Sequence, residues 1–216
     1  ADEINRSPAK VQSALLESMQ EKQVTIGDDT YKLDLPFLVL ATQNPIDQEG
    51  TYPLPEAQRD RFMMKLNIDY PSKEEELKIM QRMSDLNFKN STKTILNKKD
   101  ISAIQNEINK VSISESIEKY IIEIVNATRK PSSINLNDLD EYISFGASPR
   151  ASINLSLASK ANAFLSNRDY VMPDDVKEIA HDVLNHRIIL NYEAEAEGIM
   201  PNMIINKILD KVEINS

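Results

Sequence analysis

Cysteine is absent from all 216 residues, glycine occurs four times and histidine twice. Without thiols there is no disulfide framework and no thiolate nucleophile or metal ligand. The four glycines, Gly27, Gly50, Gly146 and Gly198, lie too far apart for a G-x-x-x-x-G-K-[ST] loop. The backbone donors and lysine that would cradle phosphates are therefore not in this stretch. His181 and His186, read on one helix, diverge by about 140° and do not suit a shared metal. Long apolar runs are also missing: Phe37 to Ala41 falls far short of the roughly 20 residues a membrane span needs. No charged and then apolar export pattern marks the start, so a soluble, cytoplasmic chain with no membrane span is expected. Positive charge is outnumbered, 25 Lys and Arg against 34 Asp and Glu, for a net charge of -9. That balance argues against nucleic acid as a partner, because phosphate neutralisation needs clustered surplus cations.

A hydrophobic share of 41% is enough to bury an ordinary core. Ser7-Pro8 reads as a cap followed by a first-turn proline, and Val11, Ala14, Leu15 and Met19 place a helix over Pro8 to Lys22. Gln23 to Ile26 and Thr30 to Leu33 flank Gly27-Asp28-Asp29, the composition of a tight β-hairpin. The apolar run Phe37 to Ala41 reads as a strand buried on both faces, with Asn44 at its carboxyl end. In open α/β sheets ligands bind beyond those ends, although an Asn-Pro turn is the plainer reading of Asn44-Pro45. A short helix over Leu54 to Asp60 and a strand over Phe62 to Ile68 complete this part.

Beyond it the strand signals fade. Ser72 and Glu75 form a capping box. Further helices are expected to begin at Asp100, Ser114, Ser148-Pro149, Pro173 and Pro201. The fold class is α/β: a mixed segment over residues 1–70, then an all-α segment over residues 71–216.

Several motifs stand in a fixed order. They are Asp2-Glu3-Ile4-Asn5-Arg6-Ser7-Pro8, Leu40-Ala41-Thr42-Gln43-Asn44-Pro45, Glu49 to Gln58, Asp60-Arg61-Phe62, Gly146-Ala147-Ser148-Pro149-Arg150 and Tyr192 to Gly198. Alone, an Asp-Glu pair is usually a solvated pair of acids. Together these motifs resemble the MoxR family of AAA+ ATPases, from the Walker B box onward, while Lys89 to Ser132 matches loosely. The resemblance implies part of a P-loop NTPase core, parallel strands plus a β-hairpin insertion before sensor 1, followed by a helical lid.

The resemblance also implies ATP and Mg²⁺ as cofactors and assigns roles. Asp2 aligns the Mg²⁺ through its water shell, and Glu3 polarises the attacking water. Asn44 is the sensor-1 amide, able to donate to a γ-phosphate or orient water. Arg61 is the arginine finger directed at the nucleotide of the next subunit, with Arg59 as a competing guanidinium where an apolar residue is usual. Arg150 is the sensor-2 residue of the lid. A cation in a first helical turn is unfavourable unless an anion is near, and a nucleotide would be that anion.

As a function, the resemblance implies chaperone-like remodelling or maturation of partner complexes by a bacterial ring, a hexamer by analogy. A client protein and a von Willebrand factor A domain protein are the implied partners, and the hairpin would line the ring's central face. Two other readings stay open. The chain as given can be a nonenzymatic fragment that binds a partner or donates Arg61 in trans, its P-loop half lying upstream. A magnesium-chelatase subunit shares sensor 2 and the hairpin, but the run Gln48 to Pro53 favours MoxR.

Overall fold

A computed structural model describes residues 1–44, 54–85 and 92–214. Pro45, the run Gln48 to Pro53 and Lys89 lie outside the described residues.

The first helix, α1, spans Ala9–Glu21 and begins one residue later than the sequence pattern suggests. Ser7 is extended and Pro8 is the N-cap, its carbonyl accepting from Val11 N at 2.9 Å and Gln12 N at 3.1 Å. Proline has no N–H to leave unpaired at this end, so the cap costs nothing in lost donors. The hairpin follows as β1, Gln23–Ile26, and β2, Asp29–Lys32, antiparallel with Gln23 opposite Lys32 and Ile26 opposite Asp29. The turn is therefore two residues, Gly27-Asp28, and Asp29 belongs to the strand. Gly27 supplies the positive φ of 65° that such a turn requires.

Residues 37–41 and 62–68 belong to no named strand, against the sequence expectation. Leu38 is 77% exposed, Leu40 76% and Ile68 92%. Apolar alternation specifies a strand only when a strand neighbour takes its backbone groups along a ladder and covers its side chains, and Leu38, Leu40, Leu66 and Ile68 are left exposed here. One edge of the 40–42 segment is nevertheless paired with residues 1–4. Ala1 N donates to Leu40 O at 2.7 Å, Thr42 N to Ala1 O at 2.9 Å and Ile4 N to Thr42 O at 2.9 Å. This alternation from one segment to the other is the pattern of a parallel pair.

A short helix, α2, covers Glu56–Arg59 with Pro55 as N-cap. Then α3, Lys73–Met83, opens with the capping box of Ser72 and Glu75. The fourth helix, α4, Lys98–Lys110, starts two residues before Asp100. Asp100 is its third residue and returns a bond to the backbone N of Asn97, the true cap. Ser114 caps α5, Glu115–Arg129. A short strand β3, Ile143–Phe145, leads to α6, Pro149–Leu165, capped by Ser148. Next come α7, Pro173–Leu184, a strand β4, Ile189–Leu190, antiparallel to β3, then α8, Tyr192–Ala196, and α9, Pro201–Lys211.

Helices α5, α6, α7 and α9 enclose one core in which Ile124, Leu155, Val176, Leu184, Ile204 and Ile208 are fully buried. Each such side chain contributes about 1.5–3 kcal/mol relative to exposure. Gly146 lets α6 approach α5: a Cβ there would lie 2.3 Å from the carbonyl oxygen of Thr128. In the space so kept, the Thr128 hydroxyl accepts from Ala147 N at 2.9 Å and donates to Val125 O at 2.7 Å. This contact fixes where α6 begins, and so where Ser148 and Arg150 stand.

Candidate functional site

Two clusters hold four of the five residues singled out in the sequence, and the fifth, Arg61, lies in the segment that the second cluster holds. The first gathers Asp2, Glu3 and Asn44. Thr42, at the end of the paired segment, ties the acids down: its hydroxyl accepts from Glu3 N at 2.8 Å and donates to Asp2 Oδ1 at 2.5 Å. Glu3 stands at the head of a short 3-10 turn, Ile4–Arg6, with φ 46° and ψ 56°. That left-handed conformation is uncommon for a residue with a Cβ and costs of order 1–3 kcal/mol, the kind of local strain that concentrates at functional positions. It turns the Glu3 carboxylate so that Oε1 accepts from Asn44 Nδ2 at 3.4 Å and Oε2 meets Arg6 Nε at 3.0 Å. From the other side Asn5 Nδ2 donates to Asn44 O at 3.1 Å. The sequence pointed to both acids and the amide but not to Thr42, whose hydroxyl links them.

The second cluster is built on Asp60. Its carboxylate accepts from Ser148 Oγ at 2.9 and 2.8 Å, from Arg150 Nη1 at 3.1 Å and from Arg187 Nε at 3.0 Å. Burial works against its charge, but the bonds from Ser148 and Arg150 and the Arg187 charge outweigh it, so its pKa lies below the usual carboxylate value. Arg187 has a fully buried side chain. Burial is the main reason its pKa falls below that of a free guanidinium. It also donates to the carbonyls of Asp60 at 2.9 Å, Phe62 at 2.6 Å and Met63 at 3.2 Å, and to Val183 O. His186 lies beyond the end of α7, not on it, and its Nε2 bonds Phe62 O at 3.1 Å. Lys65 N donates to Asp182 O at 2.8 Å. Residues 60–65 are thus held to the C-terminal end of α7 and the start of α6.

Arg61 lies inside this held segment but outside its bonds. Among the described residues neither Arg61 nor Arg59 enters an ion pair, and the Nε of each is buried without a hydrogen-bond partner. The Arg150 guanidinium rests on Asp60. Arg187 carries no motif of its own. Its one sequence signal is a cation set against the apolar run Ile188-Ile189-Leu190.

The first cluster offers carboxylate and amide oxygens with Asp2 exposed to solvent, a hard donor set of the kind that holds Mg²⁺ with water and substrate phosphates. Among the described residues no group of three or more His, Asp or Glu could cage an ion directly. No helix among the described residues is long and apolar enough to cross a membrane.

Comparison with known proteins divides the chain in the same way. Residues 1–64 match the model of the ATPase family associated with various cellular activities (AAA), and residues 137–208 match the AAA lid domain. A crystal structure of a candidate ATPase from Cytophaga hutchinsonii superposes with a TM-score of 0.95 at 65% identity, covering 100% of this chain and 66% of that one. A partial AAA+ core followed by a helical lid is therefore the fold. Chaperone MoxR1 of Mycobacterium tuberculosis is 49% identical over 99% of this chain and 56% of its own length. Protein MoxR of Paracoccus denitrificans is 31% identical over 94% of this chain and 63% of its own. The chain belongs to the MoxR family of AAA+ ATPases. It spans between half and two thirds of the length of these curated relatives.

Proposed function

We propose that this chain carries the Walker B, sensor and lid elements of a MoxR-type ATPase that hydrolyses ATP at subunit boundaries and uses the movement to remodel or mature partner complexes. In this reading Asp2 holds Mg²⁺ through water, and the ion supplies charge neutralisation at the phosphates. Glu3 takes up the proton of the attacking water while Asn44 orients its carboxylate. Arg61 is the finger offered to the neighbouring nucleotide, in preference to Arg59, and Arg150 is the lid arginine.

The observation that carries the reading is the Asn44 amide on the Glu3 carboxylate at 3.4 Å, with Asp2 fixed beside them through Thr42. A base, an amide to aim it and a carboxylate for the metal meet at the end of one paired segment, where α/β folds bind ligands. A ring, six subunits by family analogy, located in the cytoplasm, with a client complex and a von Willebrand factor A domain partner, completes the proposal. So does a division near Tyr70 into a core over 1–70 and a lid over 71–216, with the hairpin β1–β2 facing the ring's centre.

A specific observation favours a second reading for the 216 residues taken alone. Leu38, Leu40 and Ile68 lie bare along two segments that read as buried strands, and these 216 residues contain no phosphate-loop motif. The isolated polypeptide is then a binding module or a donor of Arg61, not an enzyme. Fluorescent ATP-analogue binding and phosphate release, measured on this polypeptide and on one in which it follows its own P-loop segment, separate the two. The proposal expects tight binding and turnover from the longer chain and neither from the shorter. Turnover by the 216 residues alone would overturn it.

A further inference from the structure

The backbone around Arg61 is gripped on both sides by one side chain. Arg187 donates to the carbonyl of Asp60 before it and to those of Phe62 and Met63 after it. Such a buried guanidinium is costly unless nearly all its donors are used, and here Nε goes to the Asp60 carboxylate while Nη1 and Nη2 take backbone oxygens. Asp60 in turn binds Arg150 and Ser148 at the start of α6. Its carboxylate therefore joins three things: the turn that bears Arg61, the lid helix that bears Arg150, and the buried anchor Arg187.

We propose that Asp60 and Arg187 are positioning residues, a clamp from the lid that sets the direction of Arg61 and joins it to Arg150, so that both arginines reach a phosphate as one unit. This rests on the reading of Arg61 as a finger for the neighbouring subunit. The geometry carries it further in one respect. An arginine that must serve another subunit's site cannot be aligned by that site before the subunits meet, so its alignment has to come from its own chain. Bonds on either side of Arg61, with none spent on its own Nε, have that form. When a phosphate draws Arg150 away, Asp60 keeps Arg187 and the turn stays docked. The lid and the finger then move together.

The test uses the complete P-loop-bearing protein as wild type, Asp60→Asn, Glu3→Gln, Arg150→Ala and the Asp60→Asn, Arg150→Ala double variant. Asp60→Asn is expected to lower kcat about a hundredfold, the scale of a misplacement near 1 Å, with KM within about threefold. Mixed in equal amounts, Asp60→Asn and Glu3→Gln subunits should recover up to about a quarter of wild-type turnover, because in a head-to-tail ring that share of boundaries pairs an intact Glu3 with an intact finger. A residue that only stabilises its own fold gives no such recovery, and its absence would overturn the proposal. If Asp60→Asn unfolds, Asp60→Glu keeps the charge but moves it out of register, and the same mixing result is expected. Wild-type protein that fails to hydrolyse ATP would instead overturn the parent reading, and the clamp with it. Wild-type activity with additive losses from Asp60→Asn and Arg150→Ala would overturn the clamp alone.

Discussion

Thr42 donates its hydroxyl hydrogen to Asp2 Oδ1 at 2.5 Å while accepting from the backbone N of Glu3. One side chain at the end of the 40–42 segment thereby fixes the aspartate and the glutamate of the site. Thr42→Val keeps the shape and removes both bonds. Hydrogen bonds to charged groups contribute about 1.5–3 kcal/mol, so ATP turnover by the P-loop-bearing protein is expected to fall by about ten- to a hundredfold. Steady-state kinetics with a Mg²⁺ titration check it, and unchanged turnover would remove Thr42 from the account.

Arg61 and Arg59 are separable by substitution. Arg61→Ala is expected to lower kcat by about 10³-fold or more, the scale of a lost finger, whereas Arg59→Ala costs far less. Phosphate release by the two variants decides between them, and the reverse order would transfer the role to Arg59.

His186 makes stability depend on pH. Burial first, and the neighbouring Arg187 charge second, lower its pKa from the ordinary 6.5 to about 4. Its Nε2 donates to Phe62 O, and its Nδ1 is buried without a partner, so a second proton would add an unsatisfied charge beside Arg187. The unfolded chain binds that proton first. The contribution of the neutral ring is therefore complete above about pH 6.5 and is lost as pH falls towards 4, about 3 kcal/mol over the interval. Asp60, with its lowered pKa, adds a further loss only below its ordinary value of 3.8. Urea unfolding between pH 7 and pH 4 measures the slope. His186→Gln, which keeps a donor for Phe62, is expected to flatten it.

Gly146 faces a carbonyl, not open space. Gly146→Ala places a methyl 2.3 Å from Thr128 O, so α5 and α6 must separate and the Thr128 to Ala147 bond stretches. A loss of about 1–3 kcal/mol is expected, read as a lowered melting temperature. A variant as stable as wild type would contradict this packing of the two helices.

The helices beyond residue 70 were legible because their signals are local. Ser72 with Glu75 and Ser148 with Pro149 declare helix starts within four residues, and the structure keeps them. Asp100 misled by two residues because the side chain that marks the third helical position resembles one that marks the cap. Phe37 to Ala41 and Phe62 to Ile68 have strand composition, yet a ladder depends on a neighbour that no local pattern supplies. Asp2, Glu3 and Asn44 were legible as motif residues and do converge. Asp60 was quoted only as part of a motif, since its partners Ser148, Arg150 and Arg187 lie 88, 90 and 127 positions away. Pairings at such separations leave no periodicity to read.

The central claim is that Glu3, aimed by Asn44 beside the Asp2 carboxylate, acts on water attacking a bound nucleotide. Single-turnover hydrolysis of ATP by the P-loop-bearing protein and its Glu3→Gln variant, with ATP affinity measured alongside, tests it most directly. The account predicts affinity unchanged within about threefold and hydrolysis slowed by at least about a hundredfold, the scale of a lost general base. Hydrolysis at the wild-type rate in Glu3→Gln would contradict it.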